Sequence, residues 1–329
     1  MNIEDLYRDI DRCIADRIEF IRKVERSVIA RELEIFAELA GSNNTSLREL
    51  QLHLASLAKP LFSDLDHCIQ RMHEVAGIGS LPSCQSSSRI IEAFFDVGLL
   101  SASGTADNLF VGRGHIASAF YALRYMLRGF PLCFLFSAYD AVSPVVSREW
   151  GFSNSMRHSL GEGLPMSVGR ALSRICADQD QHLYCFAGDG ELQEGISYEA
   201  IRIAYEHDIK NLTLIIDENG MGITRLAKPL NHKFLEAYFD RVYILEDQRE
   251  TIREKLELCW KEGLRSAIVV RTKKLYHSYR RDQISKVSTC SELGTTLRDL
   301  REKYSNLLIF CPELAIRFGL EDNVEYINT

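Results

Sequence analysis

The segment that decides the fold is Leu183-Tyr-Cys-Phe-Ala-Gly-Asp-Gly-Glu-Leu-Gln-Glu-Gly195. Its apolar opening is typical of a strand that is buried in a parallel sheet. Gly188 and Gly190 predict a tight turn in which the backbone approaches an anionic group closely. Residues 197–207 have a helical pattern, and a helix that starts after a glycine turn offers free N–H groups and the positive end of its dipole to phosphate. The sequence therefore predicts a strand, a turn and a helix that together bind phosphate.

Two polar side chains follow successive predicted strands. Asp189 follows the first strand, and Asn219 follows the apolar run at residues 212–216. The carboxyl ends of parallel strands form the edge at which ligands bind. A carboxylate beside a phosphate repels it unless a hard cation lies between them, and Mg²⁺ commonly combines one or two carboxylates with substrate phosphates. These residues predict a magnesium site; the alternative is that both only form turns, which their residue types favour.

The bulk composition argues against several classes of protein. A chain of 329 residues is long enough for about two domains. Its net charge of −7 argues against a nucleic-acid partner. The opening residues do not resemble a signal peptide and no apolar stretch is long enough to span a bilayer, so we expect no membrane partner. The nine cysteines include no Cys-x-x-Cys pair, which predicts reduced thiols and a cytoplasmic location.

The chain divides into four predicted segments, at residues 1–76, 77–274, 275–291 and 292–329. The first is a helical extension, in which apolar residues at helical spacing predict one long helix over residues 3–40. The second alternates helical and strand-like runs, which predicts an α/β fold with a parallel sheet flanked by helices. The third is a polar linker. Predicted strands cover residues 183–187, 212–216, 242–245 and 267–271, and predicted helices cover residues 89–99, 117–128, 163–176, 197–207 and 249–262.

The Gly-Asp-Gly turn with an asparagine downstream resembles the thiamine diphosphate (ThDP) fingerprint, and the run that ends at Gly195 resembles its transketolase version. The resemblance implies the ThDP-binding fold for residues 77–274, with ThDP and Mg²⁺ (or Ca²⁺) as cofactors. It also implies that the metal is held by Asp189, Asn219 and the backbone carbonyl of Met221, and that the cofactor is contacted by Gly188, Gly190, Glu191 and Asn219.

A second stretch, Gly112-Arg-Gly-His115, is similar to the Gly-His segment of transketolases. This similarity implies that His115 contacts the cofactor diphosphate, with Arg113 either assisting or solvated. A ring N–H at the start of a helix can donate to phosphate, helped by the helix dipole. The alternative is a structural histidine. Glu194 matches a glutamate at the family's subunit interface, or is a solvated charge at a helix start.

A third stretch, Ser159-Leu160-Gly161, resembles the segment whose backbone packs against ThDP in transketolases. His158 replaces a family glycine and would bring a titratable group near the cofactor. His277 would replace a histidine of a family loop, so that the candidates for catalysis are His115, His158 and His277. Residues 82–88 lack the family's sugar-contacting histidine. This loss suggests a substrate other than ordinary pentose and hexose phosphates.

Residues 292–329 look like the first helix and strand of the family's pyrimidine-binding domain. The last of them match the run that precedes the family's Gly-Ile-Ala-Glu-Gln segment. The glutamate of that segment promotes proton transfer on the cofactor, a general acid–base role. The resemblance therefore implies either a second subunit that brings this glutamate with the pyrimidine-binding and C-terminal domains, in an α2β2 assembly, or a sequence that is a truncated piece of a longer protein.

The function implied by this resemblance is that of the N-terminal subunit of a transketolase-like transferase. With its partner it would transfer a two-carbon ketol unit from a ketose or related 2-oxo donor to an aldehyde or other acceptor. The alternatives are the α subunit of a 2-oxoacid dehydrogenase or of an acyloin-forming lyase, and a non-catalytic scaffold that retains the ThDP fold. Release of carbon dioxide would separate the enzyme classes, and a cofactor titration would test the scaffold.

Overall fold

A computed structural model of the chain describes residues 2–41, 45–57, 59–76, 80–102, 104–137, 141–143, 145–154, 159–179, 181–222, 226, 228–274, 296, 299–300 and 302–303, and the backbone of residues 309–311 and 326–328. The central element is a sheet of five parallel strands in the order β1-β2-β3-β5-β4. The strands are β1 (Leu109–Val111), β2 (Leu183–Gly188), β3 (Leu212–Glu218), β4 (Arg241–Glu246) and β5 (Ser266–Arg271).

The predicted α/β class with a parallel sheet is confirmed. All four predicted strands are present, with ends that differ from the prediction by one or two residues. Strand β1 was not predicted, because three residues are too few to show a period. Gly188 at the end of β2 lies opposite Asp217 of β3. Because all strands run the same way, their carboxyl ends meet at one edge of the sheet.

Side chains of the central strands alternate between two apolar layers, since successive residues of a strand point to opposite faces. On β2, Phe186 belongs to one buried cluster, and Cys185 and Ala187 belong to the other. Helices cover both faces, as burial of both sheet faces requires. The helices are α1 (Ile3–Asp16), α2 (Lys23–Ala40), α3 (Leu47–Ser56), α4 (Leu65–Ala76), α5 (Leu81–Asp96), α6 (Ala117–Met126), α7 (Leu132–Ser137), α8 (Gly163–Cys176), α9 (Gly195–Glu206), α10 (His232–Tyr238) and α11 (Arg249–Glu262).

The prediction of one helix over residues 3–40 is wrong, because a turn at residues 17–22 separates α1 from α2. The new helix start is fixed by Glu25, whose carboxylate accepts the Arg22 N–H at 2.7 Å. The Arg26 side chain donates to the Ile21 carbonyl at 2.8 Å and stabilises the turn. Ile21 is buried although it lies outside both helices. The helical spacing of apolar residues therefore continues through the turn, and the sequence pattern alone does not reveal the break.

Helix α5 begins at Leu81, eight residues before the predicted start at Arg89. Serine hydroxyls stabilise this first part from within. The hydroxyl oxygens of Ser86 and Ser87 lie 3.0 and 2.9 Å from the Ser83 carbonyl oxygen, within hydrogen-bond distance. Residues 82–88 are therefore helical, although their serine-rich sequence has a low helix propensity.

The N-terminal helices share one apolar core with a face of the sheet. The ring centres of Phe36 of α2 and Phe134 of α7 lie 5.4 Å apart, and Phe94 of α5 contacts Phe186 of β2 edge to face, with ring centres 5.3 Å apart. All four rings belong to a single buried cluster.

Two short strands in the tail, β6 (Ile309–Cys311) and β7 (Tyr326–Asn328), pair in parallel. The four-segment division of the chain stays a prediction. None of the helices among the described residues combines the length and apolar character needed to cross a bilayer.

A buried carboxylate joins α2 to the start of α7. Glu32 is 2 % exposed and accepts the backbone N–H groups of Leu132 at 3.1 Å and Cys133 at 2.8 Å. These N–H groups have no partner within α7, because they lie in its first turn. Burial raises the pKa of Glu32 to about 7, although the two N–H groups oppose the rise.

We expect stability to depend on pH through Glu32. The pKa rises from 4.5 to about 7 on folding, so the carboxyl favours the folded state most below pH 4.5 and loses this contribution as the pH rises through 7. The full effect is about 3 kcal/mol. Thermal unfolding between pH 4.5 and pH 8 should show the wild type losing stability relative to Glu32→Gln. Glu25→Gln is the control. Burial acts to raise the pKa of Glu25, but the hydrogen bonds and positive charges of Arg71 and Arg22 together outweigh it, so that the net shift is downward. A constant difference between wild type and Glu32→Gln would contradict this expectation.

Candidate functional site

The carboxylate of Asp189 connects the turn after β2 to the loop after β3. Asp189 is 2 % exposed. Its Oδ1 accepts the Gly190 N–H at 3.0 Å, and its Oδ2 accepts the N–H groups of Asn219 at 3.1 Å and Gly220 at 2.6 Å. Burial raises the pKa of Asp189, although the Gly220 N–H and the positive charge of Arg113 oppose the rise. The two halves of the predicted site are therefore held together by one side chain.

The same turn and loop approach so closely that no side chain fits between them. A Cβ atom on Gly190 would lie 2.7 Å from the Cα atom of Gly222 and 3.5 Å from the carbonyl oxygen of Met221. Gly220 has a φ of +74°, a left-handed conformation that glycine adopts at little cost. The structure thus brings Gly190, Met221 and Asn219 close together. Their roles as ligands stay predictions.

The amide of Asn219 has an unused donor. Its Oδ1 accepts the Met221 N–H at 3.1 Å, whereas its buried Nδ2 has no hydrogen-bond partner among the described residues. A buried donor without an acceptor is costly, so this group suits a ligand that supplies one, such as a phosphate oxygen.

The donor set also suits a hard cation. The carboxylate of Asp189 and the carbonyl of Met221 are the kind of oxygen ligand that Mg²⁺ takes. In the described part of the chain, no three His, Cys, Asp or Glu side chains could hold a metal ion by themselves.

A buried ion pair lies beside the Gly-Asp-Gly turn. The side chains of Arg113 and Asp217 pair with each other and are 3 % and 0 % exposed. Arg113 also donates to the Ser87 hydroxyl at 2.7 Å. Asp217 accepts the hydroxyls of Ser86 at 2.9 Å, Ser87 at 3.2 Å and Thr272. Arg113 is therefore not the solvated charge that the sequence left open.

Sequence reasoning missed Asp217 as a site residue. One signal was available in the sequence, because Asp217 directly continues the largely apolar run of residues 212–216. The structure buries every residue of β3 up to and including Asp217. A carboxylate in such a position is buried only when it is paired. The serines of α5 gave no such signal, since Ser86 and Ser87 lie far from Asp217 in sequence.

His115 and Lys274 are two basic groups near the ion pair. His115 lies on a short 3₁₀ turn, Gly114–Ile116, directly before α6. The side chain of His115 is exposed to solvent, although many protein atoms lie around its ring. This enclosure, with the charges of Arg113 and Lys274, lowers the pKa of His115. Lys274, also missed, follows β5 and is half-buried. Burial and the charge of Arg113 lower the pKa of Lys274 to about 8, although Asp189 opposes this.

The carboxylate of Glu191 contacts the backbone of the Gly-Asp-Gly turn. It is 3 % exposed, and its Oε2 accepts the Gly188 N–H at 2.8 Å. A Cβ atom on Gly112 would lie 2.5 Å from Glu191 Oε1, so the Gly-His segment packs tightly on this carboxylate. The structure therefore gives Glu191 a contact with the turn, and contact with a cofactor stays a prediction.

Residues 159–161, the third stretch that resembles transketolases, lie against Glu194, which follows the Gly-Asp-Gly turn. Gly161 has a φ of +78°, and a Cβ atom on it would lie 2.7 Å from the Cβ atom of Glu194. Leu160 is half-buried and Ser159 is exposed. The predicted catalytic residues His158 and His277 lie outside the described residues.

Comparison with known proteins shows that part of this chain is similar to transketolases. The family described as transketolase, thiamine diphosphate binding domain, matches residues 160–245. The transketolase of Pongo abelii is 29 % identical over 167 residues, which cover 48 % of this chain and 27 % of the relative. The apulose-4-phosphate transketolase subunit of Actinobacillus succinogenes is 32 % identical over 125 residues, which cover 35 % of this chain and 44 % of the relative.

Among solved structures, the transketolase from Campylobacter jejuni subsp. jejuni NCTC 11168 is similar with a TM-score of 0.45 and 23 % identity, over 58 % of this chain and 38 % of that one. The matched part of this chain spans about a quarter of the Pongo abelii enzyme and less than half of the Actinobacillus succinogenes protein. The resemblance to transketolases that the Gly-Asp-Gly segment predicted is confirmed, and residues 160–245 are the part of this chain that matches the family's thiamine diphosphate binding domain.

Proposed function

We propose that this chain holds the diphosphate and the metal of ThDP in a transketolase-like enzyme. The observation that carries the proposal is the contact of the Asp189 carboxylate with the backbone of the loop at residues 219–220. This contact places a carboxylate, an amide and a backbone carbonyl at the carboxyl edge of a parallel sheet, where such sheets bind ligands. Asp189, Asn219 and the Met221 carbonyl would hold Mg²⁺, and Ca²⁺ takes the same kind of oxygen ligand.

The charges near the site support an anionic ligand. Lys274 has no hydrogen bond or ion pair with any described side chain, and it lies within electrostatic range of Asp189. His115 adds a ring that can donate an N–H to phosphate. The unpartnered Nδ2 of Asn219 is a further donor. Together these groups would neutralise and orient a diphosphate, with the cation between it and Asp189.

The reaction we propose is transfer of a two-carbon ketol unit from a ketose or related 2-oxo donor to an aldehyde or other acceptor. When bound, ThDP supplies the electron-accepting chemistry that cleaves a bond beside a carbonyl. The protein's part is to fix the diphosphate so that the cofactor lies in one orientation. Ser86 and Ser87, in the segment where transketolases have a sugar-contacting histidine, already bond to Asp217. Their use inside the protein supports a donor other than ordinary pentose and hexose phosphates.

We also propose that the enzyme needs a second subunit, which carries the activating glutamate with the pyrimidine-binding and C-terminal domains. The similarity to a protein that is named as one subunit of a transketolase supports this arrangement. The division into a helical extension (1–76), a diphosphate-binding domain (77–274), a linker (275–291) and the start of a pyrimidine-binding domain (292–329) belongs to the same proposal, as does the α2β2 assembly.

The test is to reconstitute the chain with its partner and to follow the products. We expect carbon to pass from donor to acceptor without release of carbon dioxide, and only when both ThDP and Mg²⁺ are present. Carbon dioxide release would instead assign the chain to a decarboxylating enzyme. Calorimetry adds a second measurement, because a scaffold without catalysis would bind Mg²⁺ and ThDP yet give no product. Absence of any ThDP binding by the assembled protein would refute the proposal.

A further inference from the structure

The ion pair between Arg113 and Asp217 lies in contact with the Gly-Asp-Gly turn. A Cβ atom on Gly188 would lie 3.3 Å from Arg113 Nε and 3.8 Å from its Cζ, so the guanidinium packs against the backbone of the turn. Its carbon Cζ also lies 5.8 Å from the centre of the Phe186 ring. The guanidinium is thus enclosed by the end of β2 and by the serines of α5.

Three buried carboxylates surround this one guanidinium. Asp217 pairs with it directly. Asp189 and Glu191 act on it through their negative charge. All three are at most 3 % exposed. An arginine side chain keeps its charge in a protein interior, so Arg113 requires a carboxylate partner, and the fold offers it more than one.

Hydrogen bonds hold the Asp217 carboxylate where it pairs with Arg113 in preference to Asp189 and Glu191. Its Oδ2 accepts hydroxyls from Ser86 and Ser87 of α5, and its Oδ1 accepts the hydroxyl of Thr272 after β5. Ser87 also accepts from Arg113, so one hydroxyl contacts both members of the pair. These bonds fix the carboxylate from two elements, and a fixed acceptor aligns the planar guanidinium.

We propose that Asp217 is a positioning residue that keeps Arg113 away from Asp189 and thereby leaves Asp189 available to the cation. The inference rests on the proposed function, since it concerns the same metal site. Without the Asp217 charge, Arg113 would turn to the nearest remaining carboxylates. A guanidinium paired with Asp189 would compete with Mg²⁺ for the same oxygens. Asp217 would therefore govern metal affinity without touching the metal.

The test uses two variants of this chain, each assembled with the partner subunit, in which Mg²⁺ is titrated by calorimetry with ThDP in excess. Asp217→Asn should weaken Mg²⁺ binding by about 10- to 100-fold, as is typical for residues that support a metal ligand. The double variant Arg113→Met with Asp217→Asn removes the competing cation as well. Its Mg²⁺ affinity should return to within about threefold of the wild type, because the two changes are coupled.

A purely structural role would give a different result. If Asp217 only stabilised the fold, the double variant would show no recovery of Mg²⁺ affinity. The matched control is Glu25→Gln, which breaks another buried pair, Glu25 with Arg71 at 2.7 Å, in the N-terminal helices. It should lower the melting temperature and leave Mg²⁺ affinity unchanged.

Three outcomes would overturn the inference. The first is an Asp217→Asn variant that binds Mg²⁺ as the wild type does, and the second is a double variant as weak as Asp217→Asn. The third outcome applies if Asp217→Asn does not fold, so that only the double variant can be tested. It is a loss of about tenfold or more in the Mg²⁺ affinity of the double variant relative to the wild type. Failure of the wild type to bind Mg²⁺ and ThDP would instead refute the proposed function itself.

Discussion

With Asp189 replaced by alanine, the assembled protein should no longer bind ThDP in a magnesium-dependent manner. The change removes the carboxylate that would bind the cation, and the diphosphate charge is then poorly neutralised. It also leaves the N–H groups of Gly190, Asn219 and Gly220 without their acceptor. We expect affinity to fall by more than about 100-fold, since loss of a residue that merely supports a metal ligand already costs about 10- to 100-fold.

Calorimetry of ThDP binding with and without Mg²⁺ measures this effect directly. Asp189→Asn separates its two causes, because asparagine removes the charge but keeps an acceptor for the loop. The control is Asp9→Ala, which removes a carboxylate from a surface ion pair with Arg12 at 3.0 Å. Such pairs contribute little to stability. Unchanged ThDP affinity in Asp189→Ala would remove Asp189 from the proposed site.

The second large effect should come from Gly190→Ala. The backbone of Gly190 has a φ of −63° and a ψ of −35°, which alanine adopts without strain. Any effect must therefore come from the added methyl group, which would lie 2.7 Å from the Cα atom of Gly222. Backbone at that distance cannot rotate aside, so the loop after β3 must move away from Asp189. Overpacking of this kind costs about 1–3 kcal/mol, and we expect at least a tenfold loss, about 1.4 kcal/mol, in ThDP affinity.

The matched control for this variant is Gly169→Ala. Gly169 lies inside α8, and a Cβ atom there would meet nothing within 4 Å. Alanine should stabilise that helix by about 0.5–1 kcal/mol and leave the cofactor affinity unchanged. Thermal unfolding and calorimetry of both variants give the comparison. Equal ThDP affinity in Gly190→Ala and Gly169→Ala would show that the close approach of the two loops is not needed for binding.

Much of the sheet and of the candidate site was predictable from local sequence. Strands β2 and β3 are apolar runs long enough to identify, and the spacing of Asp189 and Asn219 placed both at one edge before any contact was known. What local sequence lacked was information on distant contacts. The break between α1 and α2 was hidden because Ile21 is buried by tertiary packing outside any helix.

The same limit applies to the charges of the site. Arg113 and Asp217 are more than a hundred residues apart in sequence, and only the fold brings them together. The serines of α5 illustrate it further. Serine has a low helix propensity, but the hydroxyls of Ser86 and Ser87 find an acceptor in Asp217 and also lie within hydrogen-bond distance of the Ser83 carbonyl. Where a polar group finds its partner far along the chain, propensity and spacing give no guidance.

The aromatic contacts that run from α2 to β2 carry a consequence for how the protein opens. Because Phe36, Phe134, Phe94 and Phe186 belong to one core, the N-terminal helices and the sheet should unfold as one cooperative unit. Slowly exchanging amides of α2 and β2 should then report the same free energy of opening. A cavity made at Phe36 of α2 would lower the population of chains in which the candidate site is folded. Substitutions in the cores of α1 to α4 would in this way reduce the abundance of the folded protein while the candidate site keeps its sequence.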